Sequence, residues 1–540
     1  MTHDTAAAPA PALPHPAAGA APHPFRDPAL PVARRVDDLL ARLTPAERLA
    51  MLHQHAPAVP RLGLAAFRTG TEALHGVAWL GAATCFPQAV GLAATWDADL
   101  LRRVGTATAR EVRAKRATDP TVSLNVWAPV VNPLRHPLWG RTEEGYSEDP
   151  HLTAELATAY ARGLRGDDPR VWLTVPTLKH FLAYSNETDR ACTSSQLRER
   201  VLHEYELPAF RGPIAAGVVG AVMLSYNLVN GVPAHVSPLV REHLRSWAGD
   251  PDALTVVTDA GAPQNLVHAE RAYPDAAAAD AAALLAGVDN FTDDGEDPGP
   301  TLRALTAALA AGTIGQADVD TAVRRLLTLR VRTGEFDPPG GPFDGIGPEE
   351  LGRPEHVALA REAVAAGVVV LQNRDRPDRG PLLPLAATGR TAVVGPLADL
   401  VLTDWYSGTP TRPVPLVTAL RERLGEDAVV VADGSDRIAL RSTTTGRYVT
   451  TDPRDGALLA TAASPGAADA QFDLTDWGRG VVSLRAARTG RFTTARGAAL
   501  HADAERIGGW VVQESFRLHR HDDGTVSLLH LGTGRWVRAE

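Results

Sequence analysis

The sequence predicts a mixed α/β protein: a TIM-type (β/α)8 barrel, followed by a partial α/β sandwich and an all-β, trefoil-like module. Three observations lead to this prediction. Short apolar runs alternate with amphipathic helical segments over residues 33–334. A stretch rich in Pro and Gly follows at residues 335–355, and after Arg437 the chain changes to short alternating strands that contain a repeat.

The composition limits the partners and the chemistry to be considered. At 540 residues the chain exceeds what one hydrophobic core holds, so several domains are expected. A formal net charge of −9 argues against nucleic acid as a partner, because a phosphate backbone calls for a basic surface. The two cysteines, Cys85 and Cys192, give no disulfide framework, and no Cys/His cluster suggests a metal. No apolar run is long enough to span a bilayer, so no membrane partner is expected.

Residues 1–32 are rich in Ala, Pro and His, and we expect a disordered tail here. They contain no basic start followed by an apolar segment, which is the pattern of a secretory signal peptide. On this basis the protein is expected in the cytoplasm.

The predicted barrel spans residues 33–334 and begins with two helical stripes at 33–54, where Thr44 and Pro45 stand at an N-cap and a first helical position. The predicted strands are the apolar runs at residues 88–95, 122–126, 172–181, 221–226, 254–258 and 286–291. The predicted helices are residues 97–115, 152–164, 196–216 and 300–311. Six or seven strands can be counted, so closure into a barrel is inferred from the alternation.

The run LTVVTDAGAP at residues 254–263 is the stretch around which the chain is organised. Its apolar, β-branched residues are typical of a strand buried on both faces, and Asp259 stands where that strand ends. In a parallel barrel this end carries the chemistry, so Asp259 is a candidate nucleophile or base. The alternative is an Asp that caps the next helix or closes a turn.

Polar residues also follow the other apolar runs. Each has a structural alternative: Arg141 could pair with Glu143 or Glu148, His180 could be a buried, satisfied histidine, and Tyr226 could belong to the core. The barrel would bring all these strand ends to one face, and their coincidence therefore favours a shared site. The candidate residues beside Asp259 are Glu72, Arg141, Lys179, His180, Arg190 and Tyr226.

The use of basic residues singles out two lysines. Of 54 Lys and Arg residues, only Lys115 and Lys179 are lysines. A lysine that persists in such an Arg-rich chain is a candidate for a position that needs a compact ammonium rather than a planar guanidinium, although chance retention is the alternative.

The candidate set has the chemistry of a sugar pocket. Glu72 would accept hydrogen bonds from sugar hydroxyls, while Lys179, His180, Arg141 and Arg190 would donate them. Asp259 would approach the anomeric carbon, with cationic neighbours that keep it ionised. In a retaining glycosidase such a carboxylate attacks, and a second carboxyl acts first as acid and then as base. Which aromatic residue packs on the ring or steadies the nucleophile stays open among Tyr226, Trp127 and Trp139.

Four ordered motifs resemble those of glycoside hydrolase family 3. They are NVWAPVVNPLRHPLWGRTEEGYSEDP, LKHFLAYSNETDR, VMLSYNLVNGVPAH and VVTDAGAP. The resemblance covers residues 33–434 and implies that Asp259 is the catalytic nucleophile and that the six other candidates contact the sugar. The form TEALHG, with Glu72, looks more like the xylosidase-type members. Ala260 follows the nucleophile where many glucosidase members carry Trp, which leaves the pocket wall at this point undefined.

The chain after the barrel is expected to form three further parts. Residues 335–355 read as a linker, and residues 356–435 resemble the start of the family's second domain, an α/β sandwich. In residues 436–540, Gly-Arg-aromatic triplets at 446, 490 and 534 recur with a period of 44, which suggests a fascin-like β-trefoil. This module could be a scaffold or a sugar-binding module.

The period also predicts that the chain ends two strands into the third repeat, so either the chain is truncated or the trefoil is open. The resemblance implies an acid/base Glu in a later part of the sandwich, beyond residue 540, and none of Glu143, Glu144 or Glu187 is assigned that role.

The leading hypothesis is a retaining, exo-acting β-glycosidase that hydrolyses terminal β-linked xylose or glucose and needs no metal or cofactor. A catalytically impaired or carbohydrate-binding fragment that lacks the acid/base residue is the alternative. A β-N-acetylhexosaminidase is a third reading, which the residues SNETDR at 185–190 disfavour, because no Gly-rich loop with an Asp-Ser-His triplet follows LKHF. The expected partner is an oligosaccharide or glycoside.

Overall fold

The computed structural model describes residues 23–293, 295–377, 380–386, 388–508 and 511–539. The chain forms two compact units. The first contains the residues up to Val369 together with Tyr406–Thr411, and the second contains Val370–Trp405 and the residues from Arg412 onwards. Residues 1–22 of the predicted tail lie outside the described residues.

The first unit is built mainly of helices, several of which have side-chain caps that the sequence supplies. Thr44 and Glu47 form a reciprocal capping box, and Asp97 and Asp149 accept hydrogen bonds from first-turn amides. Its α-helices are Val32–Arg42, Pro45–Ala50, Ala89–Ala93, Ala98–Thr118, Pro150–Arg165, Glu199–Val201, Leu207–Ala215, Arg245–Trp247, Ala262–His268, Ala276–Ala286, Gly299–Ala310, Gln316–Arg332 and Pro354–Gly367. Two π-helical segments, Leu202–Glu206 and Val240–Leu244, run into two of these helices.

The centre of the first unit is a four-stranded parallel sheet in the order Thr255–Val257, Ala221–Leu224, Val175–Phe181, Asn125–Val126. These strands are buried throughout, as their apolar runs predict. The other strands of this unit form two short pairs and one small three-stranded sheet. The pairs are His55–Ala56 with Phe67–Arg68 and Ala82–Ala83 with Thr409–Pro410. The three-stranded sheet contains Ser194–Ser195, Leu228–Val229 and Val232–Pro233.

Backbone hydrogen bonds extend this sheet into a closed ring. Thr71 bridges Val126 on one side, and Asn290 bridges Val257 on the other. Residues 52–54 close the gap, because the Gln54 N–H donates to the Phe291 carbonyl at 2.8 Å and the Thr69 N–H donates to the Gln54 carbonyl at 3.0 Å. The segments after residue 71 alternate with helices, whereas residues 52–56 and 67–71 are joined through an antiparallel pair.

Two of the predicted strands differ from the structure. The run at 88–95 contains the helix Ala89–Ala93 instead of a strand. Its apolar residues Ala89, Leu92 and Ala93 are buried on one side at helical spacing, and a short apolar run does not distinguish a strand from a buried helix. The run at 286–291 is in no named strand and joins the ring through bridges at Asn290 and Phe291 and through the Asp289 N–H, which donates to the Val256 carbonyl at 2.8 Å.

The end of the predicted tail is ordered, which corrects that prediction for residues 23–32. Pro24–Arg26 form a 3-10 turn, and Phe25 is fully buried. The Phe25 ring packs edge-on against Phe336 with 5.8 Å between ring centroids. One aromatic residue in an otherwise Ala/Pro-rich segment is thus sufficient to fix its last residues on the core.

The predicted linker at 335–355 also belongs to the first unit. Phe336 and Glu350 are buried, and Glu350 accepts two hydrogen bonds from the Arg110 guanidinium at 2.8 and 2.9 Å. The boundary between units lies after Val369, so the helix Pro354–Gly367 is part of the first unit rather than of a second domain. Pro and Gly at 335–355 shape an irregular segment that is packed against the core rather than free.

The second unit combines a small α/β element with an all-β module. Strands Thr391–Val394 and Val429–Ala432 pair in parallel, and the helix Leu416–Leu424 packs against them through Val417. The predicted strand at 391–396 and helix at 417–424 therefore form. The run VVVLQN at 368–373 is in no strand, and Leu371 is almost wholly exposed.

The all-β module reproduces the 44-residue period of the sequence. The strands Tyr448–Thr451, Phe492–Arg496 and Arg535–Trp536 each lie at a Gly-Arg triplet, and Phe472 and Phe516, both fully buried, begin equivalent strands. The remaining strands are Asp436–Ile438, Leu458–Ala462, Val481–Ala486, Ala499–Ala504 and Val526–His530. Phe472 and Phe516 lie in one apolar core with Leu484 and Leu528, whereas Trp536 of the third Gly-Arg triplet is 56% exposed.

None of the helices described here combines the length and the apolar character that crossing a bilayer requires.

Candidate active site

The seven residues predicted from the sequence lie at the carboxyl end of the ring. Lys179 and His180 end the strand Val175–Phe181, while Tyr226 and Asp259 follow the next two strands of the sheet. Glu72 follows the bridge at Thr71. Because parallel segments share one direction, the loops after them open on the same face.

A continuous series of side-chain contacts connects all seven residues. Asp259 touches Tyr226 and His180, and Arg190 stacks on Tyr226. The other three are reached through two further tyrosines. Tyr184 packs between His180 and Arg141, and Tyr406 joins Arg141 to Lys179, which pairs with Glu72. The structure thus brings the predicted residues together, while their roles stay predictions.

Asp259 has two carboxylate oxygens in different environments. Oδ1 accepts the Ala260 N–H at 2.7 Å and lies 3.0 Å from the Tyr226 hydroxyl. Oδ2 is buried without a hydrogen-bond partner among the described atoms, and His180 Nε2 lies 3.6 Å from it. Asp259 is not a helix cap, because the N-cap residue of the helix Ala262–His268 is Gly261 and the helix has no side-chain cap. One carboxylate oxygen of Asp259 is therefore held by hydrogen bonds, and the other has no such partner among the described atoms.

Burial and nearby cations act on Asp259 in opposite directions. Burial raises the pKa of the Asp259 carboxyl above the ordinary value, because it disfavours the charged form. Arg141 and Lys179, followed by the hydrogen bonds from Ala260 and Tyr226, lower this pKa and partly offset the burial. The cations thus hold a negative charge that the buried position by itself would suppress.

Glu72 and Lys179 form a buried ion pair. Lys179 Nζ donates to both Glu72 oxygens, at 2.9 and 2.7 Å, and the two side chains are 1% and 6% exposed. Burial raises the pKa of Glu72, and Lys179 counteracts it. A carboxylate and an ammonium held side by side present an acceptor and a donor to one ligand.

Arg141 is held by Glu144 and Tyr406. Its guanidinium donates two parallel hydrogen bonds of 2.7 Å to Glu144 and a third, of 3.1 Å, to the Tyr406 hydroxyl. The negative charge of Glu144 raises the pKa of Arg141 well above its ordinary value against the effect of burial. The carboxylate that pairs with Arg141 is therefore that of Glu144, and not that of Glu143 or Glu148, the two partners that the sequence suggested.

His180 is a neutral, fixed histidine. Its backbone N–H donates to Asn132 Oδ1 at 2.8 Å, and its ring lies edge-on to Tyr184 with 5.0 Å between centroids. Burial, reinforced by Arg141, Lys179 and Arg190, lowers the pKa of His180 well below the ordinary value. It can accordingly donate or accept one hydrogen bond beside Asp259 without adding a charge.

Arg190 completes the site from the loop after Phe181. Its guanidinium carbon lies 4.3 Å from the centre of the Tyr226 ring, and Nη1 donates to Glu187 at 2.9 Å. The Tyr184 hydroxyl donates to the same Glu187 carboxylate. Arg190 and Glu187 thereby hold Tyr184, which contacts His180, and Tyr226, which contacts Asp259.

The three aromatic candidates have different places. Tyr226 holds Asp259 through its hydroxyl. Trp127 packs with Met223 and Val257 inside the ring, and Trp139 stacks on His136 with the Arg135 guanidinium 4.8 Å from its ring centre. Of the three, Tyr226 is the residue that contacts the carboxylate.

Sequence reasoning missed Tyr184, Glu144 and Tyr406. The first two lie inside motifs quoted above, and each stands within a few residues of a candidate, so helical or loop proximity could have suggested them. Tyr406 carried no such signal, since it lies far along the chain in a region interpreted as a second domain. Its ring stacks on Trp79 at 5.6 Å and covers Lys179 Nζ at 4.8 Å.

No group of three or more His, Cys, Asp and Glu side chains within the described ranges is arranged to hold a metal ion. The site contains a carboxylate, Asp259, with one oxygen that has no hydrogen-bond partner among the described atoms, surrounded by hydrogen-bond donors and acceptors.

Comparison with known proteins identifies the family of the chain. The family model for the Glycosyl hydrolase family 3 N terminal domain matches residues 44–329, more than half of the 540-residue chain. The chain is 34% identical over 446 residues to probable beta-D-xylosidase 7 of Arabidopsis thaliana, a match that covers 76% of this chain and 55% of the relative. It is 34% identical over 440 residues to exo-1,4-beta-xylosidase bxlB of Emericella nidulans, with the same coverage of 76% and 55%. The chain spans about half the length of these curated relatives.

Solved structures show the same relationship. One is a GH3 exo-beta-xylosidase (XlnD) in complex with a xylobiose aziridine activity based probe, with a TM-score of 0.70, 28% identity and coverage of 78% of this chain and 55% of that one. Another is the GH3 beta-glucosidase of Bifidobacterium adolescentis, with a TM-score of 0.60, 26% identity and coverage of 74% and 53%. On the strength of the matched domain, this chain belongs to glycosyl hydrolase family 3.

Proposed function

We propose that this protein is a retaining, exo-acting β-glycosidase that removes terminal β-linked xylose, with β-linked glucose as the second candidate sugar. The observation that carries the proposal is Asp259. Its Oδ1 is held by two donors, whereas Oδ2 is buried, has no hydrogen-bond partner among the described atoms and belongs to a site rich in cations. This is the geometry required of a carboxylate nucleophile.

In the proposed first step, Asp259 Oδ2 attacks the anomeric carbon of the sugar. The bond from this carbon to the leaving oxygen breaks, and that oxygen leaves with the electron pair and takes up a proton. A glycosyl ester with inverted configuration results. In the second step, water attacks the same carbon and loses a proton, the ester bond breaks, and the Asp259 carboxylate is regenerated. The two inversions give net retention, and no cofactor takes part.

The acid/base carboxyl is left unassigned. Glu144 binds the Arg141 guanidinium with both oxygens, and Glu187 accepts from Arg190 and Tyr184. Both carboxylates are thus occupied in holding the site together. Glycosides whose leaving groups depart without protonation should consequently be the best substrates.

The sugar would be gripped by the Glu72–Lys179 pair and by Arg141. A buried acceptor and donor side by side suit two adjacent hydroxyls of a pyranose. Tyr406 and Trp79 stack next to this pair and form an aromatic wall. We attribute a preference for xylose to this wall, because xylopyranose lacks the hydroxymethyl group that glucose would place in the pocket. The names of the two curated relatives support xylose, and the beta-glucosidase among the solved structures keeps glucose as the second candidate.

We also propose how the modules are to be classified. The closed ring of residues 52–291 is interpreted as a variant TIM-type barrel in which the helix between the first two segments is replaced by an antiparallel turn. The parallel pair with Leu416–Leu424 is interpreted as part of an α/β sandwich. Residues 436–539 are interpreted as a fascin-like β-trefoil, because their strands recur with the 44-residue period of the sequence.

The test of the proposed reaction replaces the nucleophile and supplies an external one. Asp259→Ala should reduce hydrolysis of 2,4-dinitrophenyl β-xyloside by at least about 10³-fold, as loss of a catalytic nucleophile does. Azide should restore turnover and give the α-xylosyl azide, because a small anion then attacks the anomeric carbon once, with inversion. NMR of the product identifies its configuration.

Asp280→Asn is the matched control, since Asp280 is another buried carboxyl of the same unit and burial raises its pKa to about 7. It should leave turnover of the xyloside within about twofold. A β-configured azide, or unchanged hydrolysis by Asp259→Ala, would contradict the assignment of Asp259 as nucleophile.

A further inference from the structure

One cavity of the first unit lies apart from the candidate active site. It has a volume of about 680 Å³ and lies on the outer, helical layer, between the helix Pro150–Arg165 and the segments 203–215 and 243–247. None of the seven candidate residues lines it. This volume is within the range of small-molecule sites in proteins, so the cavity could hold a short oligomeric ligand. We name it the outer groove.

The outer groove has an aromatic platform. The His243 ring stacks on Trp247 with 5.4 Å between centroids and an angle of 23° between planes. His203 packs edge-on against His243 at 5.3 Å. Trp247 is partly buried against the core of the unit, which fixes the platform, whereas His203 is exposed.

Two irregular helical turns place these rings. His203 lies in the π-helical segment Leu202–Glu206, and His243 lies in the π-helical segment Val240–Leu244. Turns of this type widen a helix locally and often occur at functional sites. In each segment neighbouring Leu or Val residues are buried, so the histidine is turned away from the core toward its counterpart. The platform therefore depends on two separate departures from regular α-helix that meet at one place.

The base of the groove is closed by helix packing. A Cβ atom at Gly212 would lie 2.9 Å from Ala154 Cβ, so the helices Leu207–Ala215 and Pro150–Arg165 approach here as closely as a glycine allows. Leu207 and Pro208 add apolar surface beside this contact. A ligand would thus rest on an apolar floor next to the aromatic rings.

The charged residues at the rim have both signs. Glu155 and Glu204 stand beside Arg211, and Arg200 Nε donates to Glu204 at 2.7 Å. Such a rim has no surplus of cations, which a phosphate or another polyanion would require. It offers donors and acceptors to a neutral ligand with many hydroxyls. A pyranose combines such hydroxyls with an apolar ring face that packs on aromatic side chains.

We propose that the outer groove is a second carbohydrate-binding site, which holds a neutral, β-1,4-linked oligosaccharide by stacking on Trp247 and His243. The site is noncatalytic, since it contains no arrangement like that of Asp259. The choice of a xylose oligomer as the probe rests on the proposed function, but the existence of the groove does not.

Hydrogen exchange measured by mass spectrometry tests the proposal at the groove itself. The protein is Asp259→Asn, which prevents hydrolysis, and the probe is xylohexaose at increasing concentration. We expect slower exchange in peptides from residues 199–212 and 240–248. The substitutions Trp247→Ala and His203→Ala should each raise the midpoint of this protection by about tenfold or more, because each removes a ring of the platform. Protection of residues 72–79 and 178–190 reports the candidate active site separately and should not change.

Trp96→Ala is the matched control, since Trp96 is a 76% exposed tryptophan of the same unit that does not line the groove. It should leave both regions of protection as they are. His203→Ala guards against a folding defect, because this side chain is on the surface. Absence of protection at 199–212 and 240–248, or protection that is the same in Trp247→Ala and His203→Ala as in the parent, would overturn the proposal whatever happens at the active site.

Discussion

At the scale of single residues, the candidate site depends on the different hydrogen bonding of the two carboxylate oxygens of Asp259. Two donors fix Oδ1, and this leaves Oδ2 as the reactive atom in the proposed mechanism. Burial would keep the carboxyl protonated, and the nearby charges of Arg141 and Lys179 oppose this effect. The same neighbours keep His180 neutral, so the site contains a histidine that adds no further positive charge.

Tyr226→Phe should move the low-pH limb of kcat/KM to higher pH. The reaction requires ionised Asp259, so activity falls as the pH drops through the pKa of this carboxyl, which burial places above the ordinary value of about 3.9. The Tyr226 hydroxyl lowers that pKa, and its removal should therefore move the limb to higher pH. The pH dependence of kcat/KM for an aryl xyloside measures it. Tyr146→Phe is the control, because the buried Tyr146 hydroxyl has no hydrogen-bond partner in the described part of the chain. A limb that stays in place or moves to lower pH would refute this role of Tyr226.

Lys179→Arg should be far more harmful than Lys115→Arg. Lys179 is 1% exposed and donates to both oxygens of Glu72, so a larger, planar guanidinium would displace its neighbours. Lys115, near the surface, makes one hydrogen bond, of 2.7 Å, to the Ala82 carbonyl. Steady-state kinetics should show a loss of about 10²-fold in kcat/KM for the first variant, the effect of displacing a positioned group. Similar kinetics for both variants would mean that position 179 tolerates either cation.

At the scale of secondary-structure elements, the ends of strands and the irregular helical turns carry the features of interest. The strands Val175–Phe181 and Thr255–Val257 are buried along their whole length, and the residues that end or follow them form the site. The π-helical segment Leu202–Glu206 places nearby polar residues in environments of different exposure. His203 and Glu204 are exposed, whereas Glu206 is fully buried.

Glu206→Gln should stabilise the first unit above pH 7 and have no effect below pH 4. Burial raises the pKa of Glu206 to about 7, and Arg135, with Nε 3.0 Å from Oε1 but without hydrogen-bond geometry, offsets only part of this. The folded state therefore binds the proton more tightly than the unfolded chain, whose Glu pKa is about 4.3. The stability due to protonated Glu206 is complete below that value and is lost as the pH rises through about 7.

Thermal unfolding at pH 4 and pH 8 measures this difference, which should be on the order of 2 kcal/mol in favour of Glu206→Gln at pH 8. Glu204→Gln, in the same π-helical segment but exposed, should show no pH-dependent gain. Equal stability of Glu206→Gln and the parent at pH 8 would show that Arg135 compensates the buried charge in full.

At the scale of the whole molecule, the chain has separate cores. The first unit is organised around one large apolar cluster that includes Phe25, and the all-β module has its own cluster around Phe472 and Phe516. Tyr406–Thr411 is a short return of the chain to the first unit within the sequence of the second. The candidate site thus takes one of its residues from a segment far from the others in sequence.

Phe25→Ala and Phe472→Ala should each destabilise a different unfolding transition. Both side chains are fully buried, and removal of a buried phenyl ring costs about 3–5 kcal/mol. Differential scanning calorimetry should show the transition of the first unit lowered by several degrees in Phe25→Ala and that of the all-β module lowered in Phe472→Ala. The two variants serve as controls for each other. A single transition lowered alike by both would mean that the chain unfolds as one cooperative body.

The sequence determined more of the site than of its surroundings. Asp259, Lys179, His180 and Tyr226 were predicted because each ends or follows an apolar run, and parallel strands bring such ends to one face. The period of 44 residues likewise predicted recurring strands, and the repeated pairs Phe472 with Phe516 and Leu484 with Leu528 share one core. Local signals also predicted helix starts such as Thr44 and Asp97.

Tertiary structure decided the features that depend on distant contacts. Residues 23–32 and 335–355 are loop-like in composition, yet Phe25 and Phe336 pack on each other, and no local pattern shows which core an isolated aromatic residue joins. The helix at Ala89–Ala93 formed where a strand was predicted, because a short apolar run takes its form from its neighbours. The contacts of Tyr406 with Arg141 and Lys179 also depend on the fold, since Tyr406 lies 265 residues from Arg141 along the chain. Sequence spacing determines which residues share an element. The tertiary structure determines which distant segment of the chain supplies the partner of a buried charge or a packed ring.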